Sequence, residues 1–386
     1  MSERAYFDWN ATAPLRAEAR AAMVAALGLT GNASSVHAEG RAARQAIEKA
    51  REQVAVLVAA EAKTVTFTSG ATEANMLALT SAIEVGGRKA TRDKLLISAI
   101  EHPSVRSGGR FLADRIEHLP VTGDGVIDLD ALKSALARAE RPLVSLMLAN
   151  NETGVIQPIT EAAALVHAAG GLLHVDAVQG PGRIGCTMAA LGADLMSLSA
   201  HKLGGPQGAG ALIRRSDIHI AEPLIRGGGQ ERGLRAGTEN VAVIAGFGSA
   251  AAAANLADAS CMAALLEAFE TGLKAAVPDA VIFGQSAPRL PNTSLFAVPG
   301  IKAETAVISF DLNGIALSSG AACSSGMVQP SHVLAAMGVE PALAQGALRM
   351  SLGWSTGERE VEKLLAALTK VVSSLRKRRI ASGLAA

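Results

Sequence analysis

Two short apolar runs, residues 171–175 and 194–198, each lead into a polar signature: Asp176-Ala177-Val178-Gln179 after the first, Ser199-Ala200-His201-Lys202 after the second. Runs of this length, bounded by glycine and polar turn residues, read as strands buried on both faces. Asp176 and Lys202 then fall near the carboxyl ends of two strands, the edge at which open α/β sheets hold their ligands. A carboxylate and an amine there are compatible with an ordinary strand-end ion pair. They also meet the needs of pyridoxal phosphate, which takes a lysine for its Schiff base and an acid for its pyridine nitrogen.

The alternation of strands and helices around these runs predicts a mainly parallel sheet covered on both faces. An extended arm, Phe7 to Pro14, precedes helices over 15–27 and 40–59, with the polar loop 31–37 between them. A strand at 64–68 turns through Ser69-Gly70-Ala71-Thr72-Glu73 into a helix over 74–82. Strands follow at 94–99, 143–148 and 208–213, with helices at 129–139, capped by Asp128, and 161–169, capped by Thr160. The Gly- and Arg-rich stretch 226–238 is too polar for a core. A helix of about 30 residues, 241–273, then bridges to a smaller α+β unit. That unit has strands near 281 and at 293–297, 315–318 and 348–352, and closes with a helix over 356–375 whose Ser355 and Glu358 form a capping box. The expected division is an arm (1–14) packing with the small domain, a large ligand-binding domain (15–240) and a small C-terminal domain (241–386).

The 386 residues carry 36 Lys plus Arg against 35 Asp plus Glu, a net charge of +1, which gives no electrostatic reason to expect nucleic acid or a membrane surface. The basic run Arg376 to Arg379 reads as a solvated helix end. No window has the unbroken apolar length of a membrane span. The beginning lacks an apolar run behind a basic start, so the expectation is a cytoplasmic protein with reduced thiols. Cys186 and Cys261 read as small core residues, and no metal-ligand spacing is present.

Four further segments carry candidate chemistry, each with a plain alternative. The turn at Ser69–Glu73 offers free N–H groups for a phosphate, or is simply a helix start. His102, before Pro103, stands at a strand-to-helix junction, as a loop residue or as a group that stacks on a flat cofactor and shuttles protons. Arg349, on an apolar strand, pairs either with a structural carboxylate or with a substrate carboxylate. Cys323 sits among small residues from Ser318 to Gly326, as a free cysteine in a flexible loop or as a thiol that must travel. Little in that run can pack, so the loop around 320–328 is expected to be mobile.

Together these segments make the chain resemble a cysteine desulfurase of the class V aminotransferase family, of the long-cysteine-loop type. The resemblance runs from Phe7-Asp8-Trp9-Asn10-Ala11-Thr12-Ala13-Pro14 to Arg349-Met350-Ser351-Leu352-Gly353. It is most specific in Ser199-Ala200-His201-Lys202, in His174 to Gln179, in Gly227-Gly228-Gly229-Gln230-Glu231 and in Ser318 to Cys323. Ala33, where proline is usual, and Met76, where asparagine or a similar residue is common, depart from the pattern. The resemblance implies the α/β fold of type I pyridoxal-phosphate transferases, with a seven-stranded-type, mainly parallel sheet. By resemblance Lys202 binds the cofactor, Asp176 pairs with its ring nitrogen, His102 stacks on the ring and Gln179 bonds the ring hydroxyl. Ala71, Thr72, Ser199 and His201 would hold the phosphate, joined in a homodimer by Thr238 of the other subunit. Asn151 and Arg349 would bind L-cysteine, and Cys323 would take its sulfur as a persulfide for an acceptor or iron–sulfur scaffold protein. Rival readings are a selenocysteine lyase, an aminotransferase or carbon–carbon lyase of the same fold, and a non-catalytic assembly scaffold.

Overall fold

The computed structural model describes residues 4–320 and 330–381. Its central sheet has seven strands in the order Val65–Thr68, Gly210–Arg214, Leu195–Ser199, Leu172–Asp176, Leu143–Met147, Leu95–Ser98, Ile116–Leu119. Every pairing is parallel except those of Gly210–Arg214, which runs antiparallel to both its neighbours. The inner strands are buried throughout and mostly apolar because each serves two cores. Leu173, Val175, Met196 and Leu198 face the larger cluster, with Ile47, Val54 and Phe247 of the covering helices. Leu172 and Leu195 face a second cluster with Leu77 and Ile97 on the opposite side. Parallel strands buried in this way send their carboxyl ends to one edge, and Asp176 and Ser199 end two of them.

A second sheet, of Val281–Ile282, Thr293–Ala297, Ala347–Ser351 and Ser318–Ser319, is antiparallel. It packs with the helices Asp258–Ala276, Ala303–Leu312 and Glu358–Ala381 around Phe269, Phe296 and Phe310. The N-terminal arm joins this part: Ala5–Tyr6 pairs in parallel with Ile315–Ala316, and Asp8 bridges to Ser351.

Several local expectations are corrected. The helix after the Ser69 turn spans Ala71–Ala78, earlier than 74–82, and the chain then forms a hairpin, Ala82–Val85 with Arg88–Thr91. Its turn is Gly86-Gly87 at φ 57° and 74°, a left-handed pair that suits hairpins. The long bridging helix is two, Val241–Ala253 and Asp258–Ala276, bent by 77° at a break where Asn255 accepts from the Ala257 amide. Each half packs on a different core, so one straight rod could not serve both. Helix Ile159–Ala168 begins before Thr160, whose hydroxyl instead donates to the Ala190 carbonyl. At the last helix, Glu360 rather than Glu358 reaches back, accepting from the Gly357 N–H at 2.9 Å. Cys186 is buried as expected, but Cys261 is exposed. Among the described residues, no single helix is long and apolar enough to cross a membrane.

The stretch 226–238 also differs from expectation, because one of its charges is core. Glu231 is buried, at φ 46°, and accepts from Arg51 at 2.7 and 2.8 Å and from the Phe67 amide at 2.9 Å. Arg51, itself buried, donates to the Val65 carbonyl as well. The ion pair therefore covers backbone groups along the edge strand Val65–Thr68, which would otherwise lie open. Removing one partner leaves a buried charge bare. Arg51→Ala is expected to cost about 3–5 kcal/mol, while Arg51→Met with Glu231→Leu recovers most of it. Urea unfolding of the wild type and the two variants checks this.

Candidate active site

A cavity of about 560 Å³ opens at the carboxyl edge of the central sheet. It is lined by all but two of the residues singled out above: Ala71, Thr72, His102, Asn151, Asp176, Gln179, Ser199, His201, Lys202 and Arg349. Thr238 is not among its lining and is exposed. Cys323, together with the expected mobility of its loop, lies outside the described residues. A shallower groove of about 690 Å³ on the small unit is less suited to chemistry, because its Arg289 and Glu270 already neutralise each other at 2.7 Å.

One end of the cavity is the turn from Val65–Thr68 into Ala71–Ala78. The first N–H groups of a helix have no intrahelical acceptor, so the Ala71 and Thr72 amides are available to an anion. A methyl group on Gly70 would meet nothing within 4 Å, and one on Gly210 would lie 2.4 Å from the Gly70 carbonyl carbon. The glycine on the neighbouring strand thus lets this turn sit close against the sheet. His201, bonded to the Thr12 hydroxyl at 3.1 Å, has its pKa lowered to about 4 by burial and by Lys202, so it is neutral and can donate through its other nitrogen.

Asp176 is held from two sides. Its Oδ2 accepts from Asn75 at 2.9 Å and its Oδ1 from the Val178 amide at 3.2 Å. Asn75 also donates to Ser104, which in turn bonds His102 Nδ1 at 2.8 Å. The sequence reading missed Asn75, which is wholly buried; the available signal was an amide set among Ala74, Leu77 and Ala78. The His102 pKa is lowered by burial and by Lys202, against a raising effect of Asp176. Lys202 Nζ donates to the carbonyls of Asn10 and Ala11 at 2.5 and 2.9 Å. Gln179 donates to the same Asn10 carbonyl and accepts from Arg183.

At the other end, Arg349 donates to the Asn151 carbonyl at 3.0 Å and to Asp8 at 2.6 Å, while its Nε–H, buried, has no partner among the described residues. The structural ion pair is thus present, with Asp8, and the Nε–H is left beside it. Glu152 was not anticipated. Burial raises its pKa to about 7, against lowering by the Ser331 hydroxyl, which donates at 2.6 Å, and by Arg349.

This donor set fits pyridoxal phosphate: helix-start amides and hydroxyls for a dianionic phosphate, a fixed carboxylate for a ring nitrogen, and a lysine in the same cavity for its aldehyde. Among the described residues no group of three or more His, Cys, Asp or Glu could hold a metal ion.

Known proteins resemble the chain over nearly its whole length. The class V aminotransferase family model matches residues 5–364. A cysteine desulfurase of Cereibacter sphaeroides is 43% identical over 384 residues, 97% of each chain. The cysteine desulfurase IscS of Dictyoglomus turgidum is 40% identical over 97% of this chain and 96% of its own. A NifS-like protein of Rickettsia africae superposes with a TM-score of 0.86 at 35% identity, covering 96% of this chain and 100% of that one.

Glu152 generates a pH prediction. A carboxyl that titrates near 7 when folded and near 4.5 when unfolded holds its proton more tightly in the folded state. Stability is then full below about pH 4.5 and falls by about 3 kcal/mol as the pH rises to about 7. Glu152→Gln, which still accepts from Ser331, should remove this fall. Urea midpoints of both proteins across that range check it.

Proposed function

Because the chain belongs to the class V aminotransferase family, among its cysteine desulfurases, we infer that it converts L-cysteine to L-alanine and passes the sulfur to Cys323 as a persulfide. The observation that carries this reading is the convergence of Asp176, Lys202, His102, Asn151 and Arg349 on one cavity with a phosphate-sized turn at its end. Bound there, pyridoxal phosphate supplies an electron sink that acidifies the substrate Cα and loosens the Cβ–S bond. Ala71, Thr72, Ser199 and His201 would hold its phosphate, Gln179 its ring hydroxyl and Asp176 its ring nitrogen, and His102 would stack on the ring.

The substrate carboxylate takes the Arg349 Nε–H and the Asn151 side chain, which sets Cα beside Lys202. Lys202 Nζ removes the Cα proton and later returns it. A free thiol titrates near about 8.5, so Cys323 must lose its proton before attack. The substrate amine takes that proton, while His102, its pKa lowered by burial and its Nδ1 accepting from the Ser104 N–H at 3.2 Å, offers its other ring nitrogen as a proton donor. The Cys323 thiolate then attacks the substrate sulfur. A sulfur–sulfur bond forms, Cβ–S breaks, and Cβ takes up a proton to give the methyl group of alanine. The Cβ–S electron pair stays with Cβ, which is reduced to the methyl group as the two sulfurs are oxidised to the persulfide, and the thiol hydrogen of cysteine stays on the transferred sulfur, so no external oxidant or reductant is needed.

The protein works as a homodimer in the cytoplasm, with Thr238 of each subunit completing the other's phosphate site. It hands sulfur to an acceptor or iron–sulfur scaffold protein. The chain divides at about 240 into a cofactor-binding part and a smaller part that carries the thiol.

Purified protein is expected to be yellow, and Lys202→Ala colourless and inactive. Cys323→Ser should bind cysteine with a spectral change yet release no alanine, because a hydroxyl is a far poorer nucleophile toward sulfur than a thiolate. Normal alanine release by Cys323→Ser would favour the selenocysteine-lyase reading. Sedimentation should give a dimer, and a fully active monomer would refute the role of Thr238.

A further inference from the structure

The turn that ends the cavity is braced from behind by an ion pair that the reaction itself does not use. Glu73, the third residue of helix Ala71–Ala78, accepts from the Ser69 N–H at 2.8 Å with one oxygen and from Arg235 Nε at 3.0 Å with the other. The Thr68 hydroxyl donates to the Gly70 carbonyl at 2.9 Å, and the Ala74 amide donates to the same oxygen at 3.1 Å. Ser69 N–H and Gly70 C=O are thereby both spoken for. The Ala71 and Thr72 amides and the Thr72 hydroxyl remain for whatever occupies the cavity. Arg235 is in turn carried by a stretch fixed a few residues earlier, where Glu231 is locked to Arg51 and to the Phe67 amide.

A carboxylate in the first turn of a helix that receives a phosphate poses a problem. It stabilises the helix start, yet it opposes a second anion nearby. Burial raises the Glu73 pKa, but hydrogen bonds from Ser69 and Arg235 hold it below the usual carboxylate range, so it is ionised. Arg235 supplies the neutralising charge, with the Glu73 side chain 10% exposed and its own 26% exposed.

We propose that Glu73 and Arg235 are positioning residues for the cofactor phosphate: Glu73 fixes the Ser69–Thr72 turn in its anion-accepting form, and Arg235 cancels the charge that would otherwise repel the ligand. This rests on the reading of the cavity as a pyridoxal phosphate site. It assigns neither residue a contact with the phosphate.

The test compares two ligands that differ only in that group. Full-length protein stripped of cofactor is titrated with pyridoxal phosphate and with phosphate-free pyridoxal, following the visible absorbance of the lysine-bound form. Arg235→Met bares Glu73, and should raise the dissociation constant for pyridoxal phosphate about tenfold while leaving that for pyridoxal within about twofold. Adding Glu73→Gln removes the bare charge and should recover part of the loss. Arg235→Lys, which keeps the charge without the guanidinium fork, should stay within about threefold of wild type. Equal weakening of both ligands, or a fall in the melting temperature of the stripped protein that accounts for the loss, would make the pair merely structural and overturn the proposal. So would unchanged affinities throughout. A wild type that takes up neither ligand would instead defeat the cofactor reading.

Discussion

The whole arrangement turns on Asn10, a buried residue of the N-terminal arm whose backbone and side-chain groups bond to both sheets. Its carbonyl accepts from Lys202 and Gln179, at the carboxyl edge of the large sheet. Its N–H donates to the Ser351 hydroxyl at 3.0 Å, and its side-chain amide donates to Thr293 Oγ1 at 2.9 Å, both on strands of the small sheet. Asn292 donates to its side-chain oxygen, and the amide also reaches the Asn151 carbonyl. A polar group taken from water costs free energy unless its bonds are remade, and here they are. The cavity walls come from two sheets and an arm, and this one residue fixes how the three meet. The aromatic pair Trp9 and Trp354, with ring centroids 4.7 Å apart, adds an apolar contact beside it.

Around Asp176 the sheet interior limits charge. Glu101 is wholly buried, accepts from the Met147 amide at 2.7 Å, and has its pKa pushed well up by burial and by Asp176. Two carboxylates so placed cannot both ionise cheaply, and the one with fewer donors keeps its proton. Glu101 has one amide donor; Asp176 has Asn75 and Val178. His174, on the same strand as Asp176, lies between Ser145 and Ser197 of the flanking strands, and burial lowers its pKa to about 4. It is neutral and stitches three strands by hydrogen bonds. These neighbours leave Asp176, held by Asn75 and the Val178 amide, as the carboxylate that faces the cavity at this edge.

The sequence made the parts governed by periodicity and chain order legible. Apolar runs marked the buried strands, and each run's polar successor marked the cavity edge, so Asp176, Ser199 and Lys202 were found without a partner in view. His102 was legible because Pro103 fixes a helix start. Positions that depend on a distant partner were not. Glu231 looks too polar for a core until Arg51, 180 residues away, is beside it. Asn75 meets Asp176 across 101 residues, and Ser331 meets Glu152 across 179. Asp8, which bonds Arg349, reads in sequence as part of a plain extended arm.

The Arg349 site illustrates why such partners matter for chemistry. A guanidinium in an apolar strand must be paired even before substrate arrives, since a bare buried charge is costly. Asp8 and the Asn151 carbonyl take two of its donors, and they also fix its plane. Of its three nitrogens, Nε is the one with no partner among the described residues. An amino-acid carboxylate therefore meets an oriented donor next to an existing carboxylate, which weakens the attraction that a free arginine would offer. Tight holding of the substrate does nothing for the later transfer of sulfur, since only interactions that strengthen toward the transition state raise the rate. A partly satisfied Arg349 is thus suited to holding an anion loosely enough for it to bind and leave through the same contacts.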